Sequence, residues 1–423
     1  MTITDNNLTH TLQLKRINGN SELIQYTHKR NSEAWKSKYL TVADYVKREA
    51  TLGESEIALQ HSLVSTSTNI INPNYKKYLG LNYFVLEKIA ADTTLTNETE
   101  NIVCRCETMN RIGYMKISNK GSYIIIPVLE VVIGAVFTPV EFRGMKYAQE
   151  LMFQLNNYYD TISREKDEGD LFLKYKTMIL YSEVGEYYSK FGYSFDHVPV
   201  HHLKKLDLFL EKYCLDNNDE QKNVHYLGFD GYEDLVNLEQ TQIMEKLSNL
   251  ELDKNTSAFT AFPDMKIYKW FELRDIYISQ FFLHYQAAAV DGGSNSVDDL
   301  KVSELKFGVE IIGNKSHIIW HHAWVDNSLQ ILKVYTSEDN KERDLVTLFK
   351  YAIKEAKKYD LSDIYFWDQE IPETEYPNFH KVLKETENKV NLFCENSSLS
   401  GIRPSPFVSN EVKWENNTKF GWF

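Results

Sequence analysis

Residues 131–151 read VVIGAVFTPVEFRGMKYAQEL, and this stretch decides the fold of the chain around it. The β-branched and apolar residues from Val131 to Phe137 predict a buried strand, which ends at Thr138-Pro139. A helix is expected to open at Arg143-Gly144, because apolar residues then recur at helical spacing. These residues are Met145, Ala148, Leu151, Met152 and Leu155. The pattern predicts a strand, a tight turn and a helix that packs on a sheet.

The start of this helix has the properties of an anion-binding site. Its first backbone N–H groups lack partners inside the helix, and the positive end of the helix dipole lies there. Together with the guanidinium of Arg143 they suit a diphosphate. The residues assigned to this cradle are Arg143, Gly144, Met145, Lys146, Tyr147 and Ala148. A strand, turn and helix of this kind also occur in α/β units that bind no ligand.

The segment RGMKYA at residues 143–148 resembles the R-G-x-G-x-A/G signature of the GNAT acetyltransferase superfamily. The resemblance implies an α/β chain of the α+β GNAT fold, with a mixed sheet flanked by helices, and acetyl-CoA as co-substrate. Lys146 departs from the signature, because the family usually has glycine there. Two interpretations stay open. The Cβ of Lys146 would narrow the cradle, or its ammonium would swing outward and pair with a phosphate of CoA.

A second segment, LYSEVGEYYSKFGYSF at residues 180–195, resembles the Y-x-x-x-G-F/Y segment of the same superfamily at the expected distance from the first. Tyr188 occupies the tyrosine of that pattern, and the resemblance implies a hydroxyl near the thioester sulfur. A phenol there can protonate the leaving thiolate, so Tyr188 is the predicted general acid. The alternative is that Tyr187 and Tyr188 are packing residues in a chain with 27 tyrosines.

Glu130 stands at the start of the predicted strand, thirteen residues before Arg143. Histone-type members of the superfamily place their catalytic glutamate at this spacing. The acceptor amine must be neutral to attack, so a partly desolvated carboxylate fits the role of base. A charged residue at a strand entrance is also commonly just solvated. Direct attack by the amine needs no protein nucleophile, and backbone N–H groups around Val136 and Phe137 are expected to hold the carbonyl oxygen.

The N-terminal part narrows the resemblance to the fungal lysine acetyltransferases that modify the side-chain amine of free lysine. The shared features are RNSEAW at 30–35, the segment 39–52 in which Thr41 and Asp44 form a capping box, and an aromatic tail at 419–422. The resemblance implies free L-lysine as acceptor and a role in lysine degradation. A polyamine, peptide or other small amine stays open as acceptor. A GNAT-fold module that has lost efficient catalysis, and that binds CoA or a protein, also stays open.

A chain of 423 residues is too long for one ordinary core, so two domains are expected. Residues 1–215 would form the acetyltransferase domain, and residues 225–423 a degenerate GNAT-like C-terminal domain, with the polar run 216–220 as linker. Between Phe307 and Trp367 the sequence predicts three strands, a helix and a strand, without an Arg-Gly cradle. This half is expected to close over the first and to help select the substrate.

Composition excludes several classes of partner. The net charge of −13 argues against nonspecific nucleic-acid binding. No membrane span is expected, because the longest apolar stretch, residues 123–140, contains Pro127 and Glu130. No metal site is expected, because Cys104 and Cys106 have no partner pair at zinc spacing. Four scattered cysteines and no recognised secretory signal predict a cytoplasmic location, with the nucleus as the alternative. Nothing in the pattern indicates an oligomeric state.

Overall fold

The computed structural model describes residues 2–5, 8–60, 73–90, 98–119, 121–165, 170–213, 223–291, 304–408 and 411–423. The predicted linker at 216–220 lies outside these residues. The described strands are β1 (Thr2–Asp5), β2 (Leu8–Arg16), β3 (Gly80–Ala90), β4 (Ile102–Asn119), β5 (Ser122–Phe137), β6 (Thr177–Ser182), β7 (Ser194–Asp196), β8 (Val200–Leu203), β9 (Val224–Leu227), β10 (Thr256–Ala261), β11 (Gly308–Ile311), β12 (His317–Ala323), β13 (Ser328–Tyr335), β14 (Asp363–Trp367), β15 (Leu399–Pro404) and β16 (Glu411–Glu415). The described helices are α1 (Ser21–Trp35), α2 (Val42–Gly53), α3 (Tyr147–Arg164), α4 (Leu171–Lys174), α5 (Leu206–Tyr213), α6 (Glu233–Asn249), α7 (Met265–Asp291), α8 (Lys341–Lys358) and α9 (Pro377–Thr386).

The strands form two mixed sheets. The first sheet has the order β1-β2-β3-β4-β5-β6-β15-β7, and β10 adds to β4 and carries β16. Helix α3 covers one face of this sheet, where Cys104 and Cys106 share the apolar core with it. Helices α1, α2, α6 and α7 contribute to the core on the other face. The predicted α/β class, with a mixed sheet flanked by helices, is confirmed.

The strand-turn-helix of residues 131–151 is present, although its boundaries differ from the prediction. Strand β5 begins at Ser122, so Glu130 lies inside the strand rather than at its start. Helix α3 begins at Tyr147 rather than at Arg143-Gly144. The reason is conformational: Gly144 and Lys146 have φ of 82° and 64°, which is left-handed backbone that cannot belong to a right-handed helix. Met145 is consequently 46% exposed and does not join the apolar face.

The second sheet repeats the core arrangement of the first. Its order is β8-β14-β13-β12-β11-β9, and β12 is antiparallel to both β11 and β13. Helix α8 then connects β13 to β14, which pair in parallel, as α3 connects the parallel pair β5 and β6. The succession of three strands, a helix and a strand predicted for residues 307–367 is therefore confirmed.

The two sheets exchange strands along the chain. Strand β8, which precedes residue 215, belongs to the second sheet, whereas β10, β15 and β16 belong to the first. Arg403 of β15 donates two hydrogen bonds to the carboxylate of Asp160 on α3, at 3.0 and 2.6 Å. These bidentate charge-assisted bonds link β15, near the end of the sequence, to α3 in the first half. The division into domains 1–215 and 225–423 stays a prediction.

Helix α2 shows the predicted local signal at its start. The side chain of Thr41 accepts a hydrogen bond from the Asp44 backbone N–H, and the Asp44 carboxylate accepts from the Thr41 backbone N–H, at 3.2 and 3.0 Å. This capping box satisfies donors that the first helical turn leaves without partners. Tyr45 and Arg48 are buried on the helix that follows this cap. None of the described helices is long and apolar enough to cross a membrane.

Candidate active site

The parallel strands β5 and β6 separate partway along their length. They pair from Glu130 opposite Thr177 to Ile133 opposite Leu180, and their pairing ends there. Strand β5 continues to Phe137 without β6 beside it. A gap therefore opens between two neighbouring strands of one sheet, next to the start of α3.

A β-bulge lies where the strands separate. Glu107 of β4 is opposite Gly134, and Arg105 is opposite Phe137. Two residues of β5, Ala135 and Val136, therefore lie opposite the single residue Cys106 of β4. Ala135 has a φ of 49°, in the left-handed region that non-glycine residues rarely adopt. A bulge takes its extra residue out of the ladder. Backbone groups next to the gap are thereby freed from regular pairing.

A cavity of about 360 Å³ occupies this gap and the space beyond it. Ala135 and Val136 of the bulge line it, and Tyr188 lies on its wall. The opposite wall comes from α2, α7, the end of β12 and the aromatic tail. Charged side chains in the lining include Arg48, Glu49, Glu107, Arg274, Asp275 and Lys419. The site is thus an apolar gap in the sheet that opens into a charged chamber.

A larger cavity of about 560 Å³ lies elsewhere, between α6 and β16. It is lined by residues such as Lys246, Glu375 and Trp414, and it includes no residue of β5, β6 or α3. The smaller cavity is the better candidate for catalysis, because convergent polar groups and a broken ladder meet in it.

The predicted cradle at residues 143–148 forms the link between β5 and α3. No side chain caps the start of α3, so its first N–H donors receive no side-chain partner. Arg143 is exposed, with its Nε donating to the backbone oxygen of Thr138 at 3.2 Å. A Cβ at Gly144 would have no atom within 4 Å, so glycine serves the positive φ there rather than close packing. The exposed Lys146 adopts a conformation that glycine would adopt without strain.

Tyr188 lies in the 3₁₀ turn Tyr187–Phe191, with 8% of its surface exposed. Its ring packs against Tyr187 and Tyr193, at centroid distances of 5.2 and 6.3 Å. Burial raises the pKa of its hydroxyl well above the usual value, so the phenol stays protonated at neutral pH. The side chain therefore packs in a cluster of tyrosine rings and also lies on the cavity wall.

Glu130 does not line the cavity. It is fully buried inside β5, where its Oε1 accepts a hydrogen bond of 2.8 Å from Nη2 of Arg111. Burial raises the pKa of the Glu130 carboxyl, against the opposing effect of Arg111. The same guanidinium also donates to the backbone oxygen of Gly421 in the tail. The proposed role of Glu130 as base stays a prediction.

Glu107 is a carboxyl group beside the gap between β5 and β6, and the sequence motifs did not indicate it. It lies beside the bulge on β4, lines the cavity and accepts a hydrogen bond from Asn31 Nδ2 at 3.3 Å. Burial and the nearby Glu49 carboxylate raise the pKa of Glu107 to about 8. No spacing in the sequence distinguishes it, since it belongs to no family signature quoted above.

Residues of the second half complete the chamber. Trp270 and Arg274 lie one turn apart on α7, and Trp422 and Phe423 of the tail line the cavity beside them. A Cβ on Gly134 would come within 2.9 Å of the Phe423 ring, so this position of β5 accepts only glycine without a shift. Within the ranges described above, no group of three or more His, Cys, Asp or Glu side chains is placed to hold a metal ion.

Comparison with known proteins indicates the family of the chain. The family model described as the LYC1 GNAT-like C-terminal domain matches residues 214–423. An uncharacterized protein of Saccharomyces cerevisiae is 39% identical over 411 residues, covering 95% of this chain and 96% of its own length. The chain belongs to the GNAT superfamily of N-acetyltransferases, within the group that carries the LYC1-type C-terminal domain.

More distant similarities were also found. A lysine acetyltransferase of Yarrowia lipolytica is 25% identical over 304 residues, which cover 63% of this chain and 69% of that protein. Among solved structures, a GCN5-related N-acetyltransferase from Kribbella flavida matches with 13% identity and a TM-score of 0.46, covering 93% of this chain and 71% of that one. A GCN5-related N-acetyltransferase from Anabaena variabilis matches with 11% identity and a TM-score of 0.43, covering 92% and 72%.

Replacement of Lys146 by glycine separates the two interpretations of this residue. Lys146→Gly removes the strain of a side chain at φ 64°, so the free energy of unfolding should rise by about 1 kcal/mol. Titration calorimetry with acetyl-CoA then reports on the cradle. Tighter binding means that the side chain obstructs the cofactor, and weaker binding means that its ammonium contacts phosphate.

Lys146→Ala is the matched control for this change. It removes the ammonium but keeps a Cβ and the strained backbone. If the ammonium binds phosphate, both variants should lose affinity for acetyl-CoA. If the Cβ obstructs, glycine alone should gain affinity. A stability of Lys146→Gly below that of the wild type would contradict the argument from φ.

Tyr188→Phe tests the general acid. Loss of the hydroxyl should lower kcat by about 100-fold, because the thiolate would leave without a positioned proton. The dissociation constant for acetyl-CoA should change little. Tyr187→Phe is the control, since Tyr187 belongs to the same ring cluster but does not line the cavity. Equal rates for Tyr188→Phe and the wild type would remove Tyr188 from this role.

Proposed function

We propose that the protein transfers the acetyl group of acetyl-CoA to the side-chain amine of a small amino compound, most specifically free L-lysine. The observation that carries the proposal is the continuity between the gap in the first sheet and the charged chamber lined by α2, α7 and the tail. The similarity to the Yarrowia lipolytica lysine acetyltransferase supports lysine as acceptor. By the same analogy, the protein would act in lysine degradation.

The residues of the cradle fit the pyrophosphate of acetyl-CoA. The uncapped N–H donors of α3 and the exposed Arg143 would hold it, with residues 143–148 as the binding segment. Backbone N–H groups at Val136 and Phe137 would stabilise negative charge on the thioester carbonyl oxygen. Acetyl-CoA supplies the activated acyl group, and the protein positions an amine against it.

The transfer needs one bond made and one broken. The amine nitrogen bonds to the acetyl carbon, and the carbon–sulfur bond breaks as the intermediate collapses. Tyr188 would donate its proton to the leaving sulfur, and burial, which raises the pKa of its hydroxyl, keeps that proton in place until the thiolate forms. A carboxylate must accept the proton that the amine loses. Two carboxyl groups are candidates for that step.

The geometry favours Glu107 over Glu130 as this base. Glu107 lines the cavity and lies opposite Gly134, beside the bulge where the carbonyl carbon is expected. Its pKa of about 8 makes it a stronger base than an ordinary carboxylate and leaves part of it ionised at neutral pH. Glu130, the candidate from sequence, is bonded to Arg111 behind the lining. A direct role for Glu130 would require that this pair separates.

The alternative function is a GNAT-fold module that binds CoA or a protein without efficient catalysis. The lysine at position 146 is the feature that favours it, because the family signature has glycine where φ is positive.

A location in the cytoplasm or nucleus is proposed with either function. The free thiols of Cys104, Cys106 and Cys394 support a reducing compartment.

One experiment tests the proposed function directly. Purified protein is titrated with acetyl-CoA by calorimetry, and release of free CoA thiol is then measured with and without L-lysine. Saturable binding and lysine-dependent thiol release are expected. Binding without release would transfer the search to other amines. Absence of binding would contradict the proposal and favour the interaction module.

The pair Glu107→Gln and Glu130→Gln tests the base. Glu107→Gln should lower kcat by about 100-fold and remove the rise of activity with pH near 8. Glu130→Gln should mainly lower the free energy of unfolding, by about 3 kcal/mol, because Arg111 loses its buried counter-charge. Retained activity in Glu107→Gln with loss in folded Glu130→Gln would reverse the assignment.

Stability against pH provides an independent check on Glu107. A carboxyl group with a raised pKa in the folded state binds a proton more tightly there than in the unfolded chain, so stability falls as pH rises from about 4.5 to about 8. Glu107→Gln removes this ionisation. The variant should therefore be at least as stable as the wild type at pH 8 and above, as urea denaturation would measure.

A further inference from the structure

We propose that Arg274 binds a carboxylate of the acceptor, so that the chamber selects an amino acid over a polyamine or an uncharged amine. This inference rests on the proposed acetyl transfer and specifies the chemical class of the acceptor. Neither a sequence motif nor the comparisons assign a role to this residue. The evidence is the position of the guanidinium, the lack of a hydrogen-bond acceptor for its buried Nε and the charges around it.

The guanidinium of Arg274 is held by aromatic rings rather than by acids. It lies 4.9 Å from the ring centroid of Trp422 and 5.9 Å from that of Trp270, and all three residues line the cavity. Cation–π contacts fix the position of a guanidinium through its face. They leave the N–H donors, which lie in the plane of the guanidinium, free to bond an anion. Its Nε is buried, and no described residue accepts a hydrogen bond from it.

The carboxylates that act on Arg274 are already engaged. Glu49 accepts a hydrogen bond of 2.7 Å from Nε of Arg48, and Asp275 accepts one of 2.6 Å from the backbone N–H of His322. Burial and the neighbouring Arg48 lower the pKa of Arg274 to about 10, which still leaves it protonated at neutral pH. Arg274 is half-buried, and its buried Nε has no hydrogen-bond acceptor among the described residues, so an arriving anion would stabilise the charge.

The rest of the chamber fits an amino acid. Lys419 lies next to Arg274, with its Nζ 3.7 Å from the ring centroid of Trp422. Burial and the Arg274 charge lower the pKa of Lys419 to about 7, so its ammonium gains stability when an anion binds beside it. Glu183 and Asp326 are exposed and also line the cavity, where they suit an α-ammonium group. The half-buried Arg274 and Lys419 and the exposed acids Glu183 and Asp326 thus match the two charges of an amino acid head group. A polyamine carries positive charge at both ends, so one of its ammonium groups would meet the charged guanidinium of Arg274.

The phosphates of CoA are the other anions available to such a site. The cradle at residues 143–148 provides donors for pyrophosphate, and none of those residues lines the cavity that Arg274 faces. The anion at Arg274 is therefore assigned to the acceptor. If Arg274 bound a phosphate of CoA, its replacement would weaken acetyl-CoA binding. If it binds the carboxylate of the acceptor, acetyl-CoA binding would stay unchanged, and the experiment measures this binding separately.

The test compares L-lysine with 1,5-diaminopentane, which has the same amine and chain but no carboxylate. For the wild type, kcat/KM should be much higher with lysine. In Arg274→Gln the KM for lysine should rise by about 30-fold, as expected for loss of a charge-assisted pair. The KM for diaminopentane and the dissociation constant for acetyl-CoA should stay within about threefold of the wild-type values.

Two further variants complete the design. Arg274→Lys keeps the charge but loses the planar pair of donors, so it should have an intermediate KM for lysine. If Arg274→Gln does not fold, the KM of Arg274→Lys for lysine tests the inference in its place. Arg343→Gln is the matched control, because Arg343 is exposed on α8 and does not line the cavity. Its kinetics should equal those of the wild type.

The outcomes separate the inference from the function on which it depends. Equal wild-type efficiency with both amines, or an equal loss for both in Arg274→Gln, would overturn the carboxylate site. Weaker acetyl-CoA binding in the variant, with lysine KM unchanged, would overturn it in favour of a CoA phosphate. If the wild type binds acetyl-CoA but acetylates no amine, the proposed function fails, and the inference fails with it.

Discussion

The site depends on one interruption of backbone hydrogen bonding: β5 and β6 stop pairing after Ile133 and Leu180, while β5 continues. A parallel ladder normally satisfies both strands along their overlap, so an opening in mid-sheet must be stabilised from elsewhere. Here the bulge at Ala135 and Val136 turns the strand, and α3 begins close to its end. The gap, the cradle and the charged chamber all follow from that interruption.

Much of this arrangement could be predicted, because it is local. The run of β-branched residues before Thr138 and the apolar spacing after Arg143 define a strand and a helix from a few neighbours each. The capping box of Thr41 and Asp44 is equally local and forms as the sequence indicated. The error at the helix start has a local cause too, since the positive φ of Lys146 cannot be read from a residue type that rarely adopts it.

The chamber could not be predicted, because its residues meet only through long-range packing. Arg274 lies on a helix whose apolar pattern indicates burial but does not indicate what it faces. Glu107 is one charged residue in a long strand, and its pKa is raised by burial and by Glu49, a neighbour that lies far from it in the sequence. Glu130 shows the reverse case: its spacing from the motif suggested a base, whereas folding gave it Arg111 as a partner.

The strand exchange between the sheets has a consequence for synthesis on the ribosome. The edge of β6 that faces away from β5 is covered by β15, residues 399–404, which emerge almost four hundred residues after the first strands. Until then that edge presents open N–H and C=O groups to any other extended chain. The nascent first sheet therefore passes through an interval in which it needs protection from wrong partners, and the order of translation sets the length of that interval.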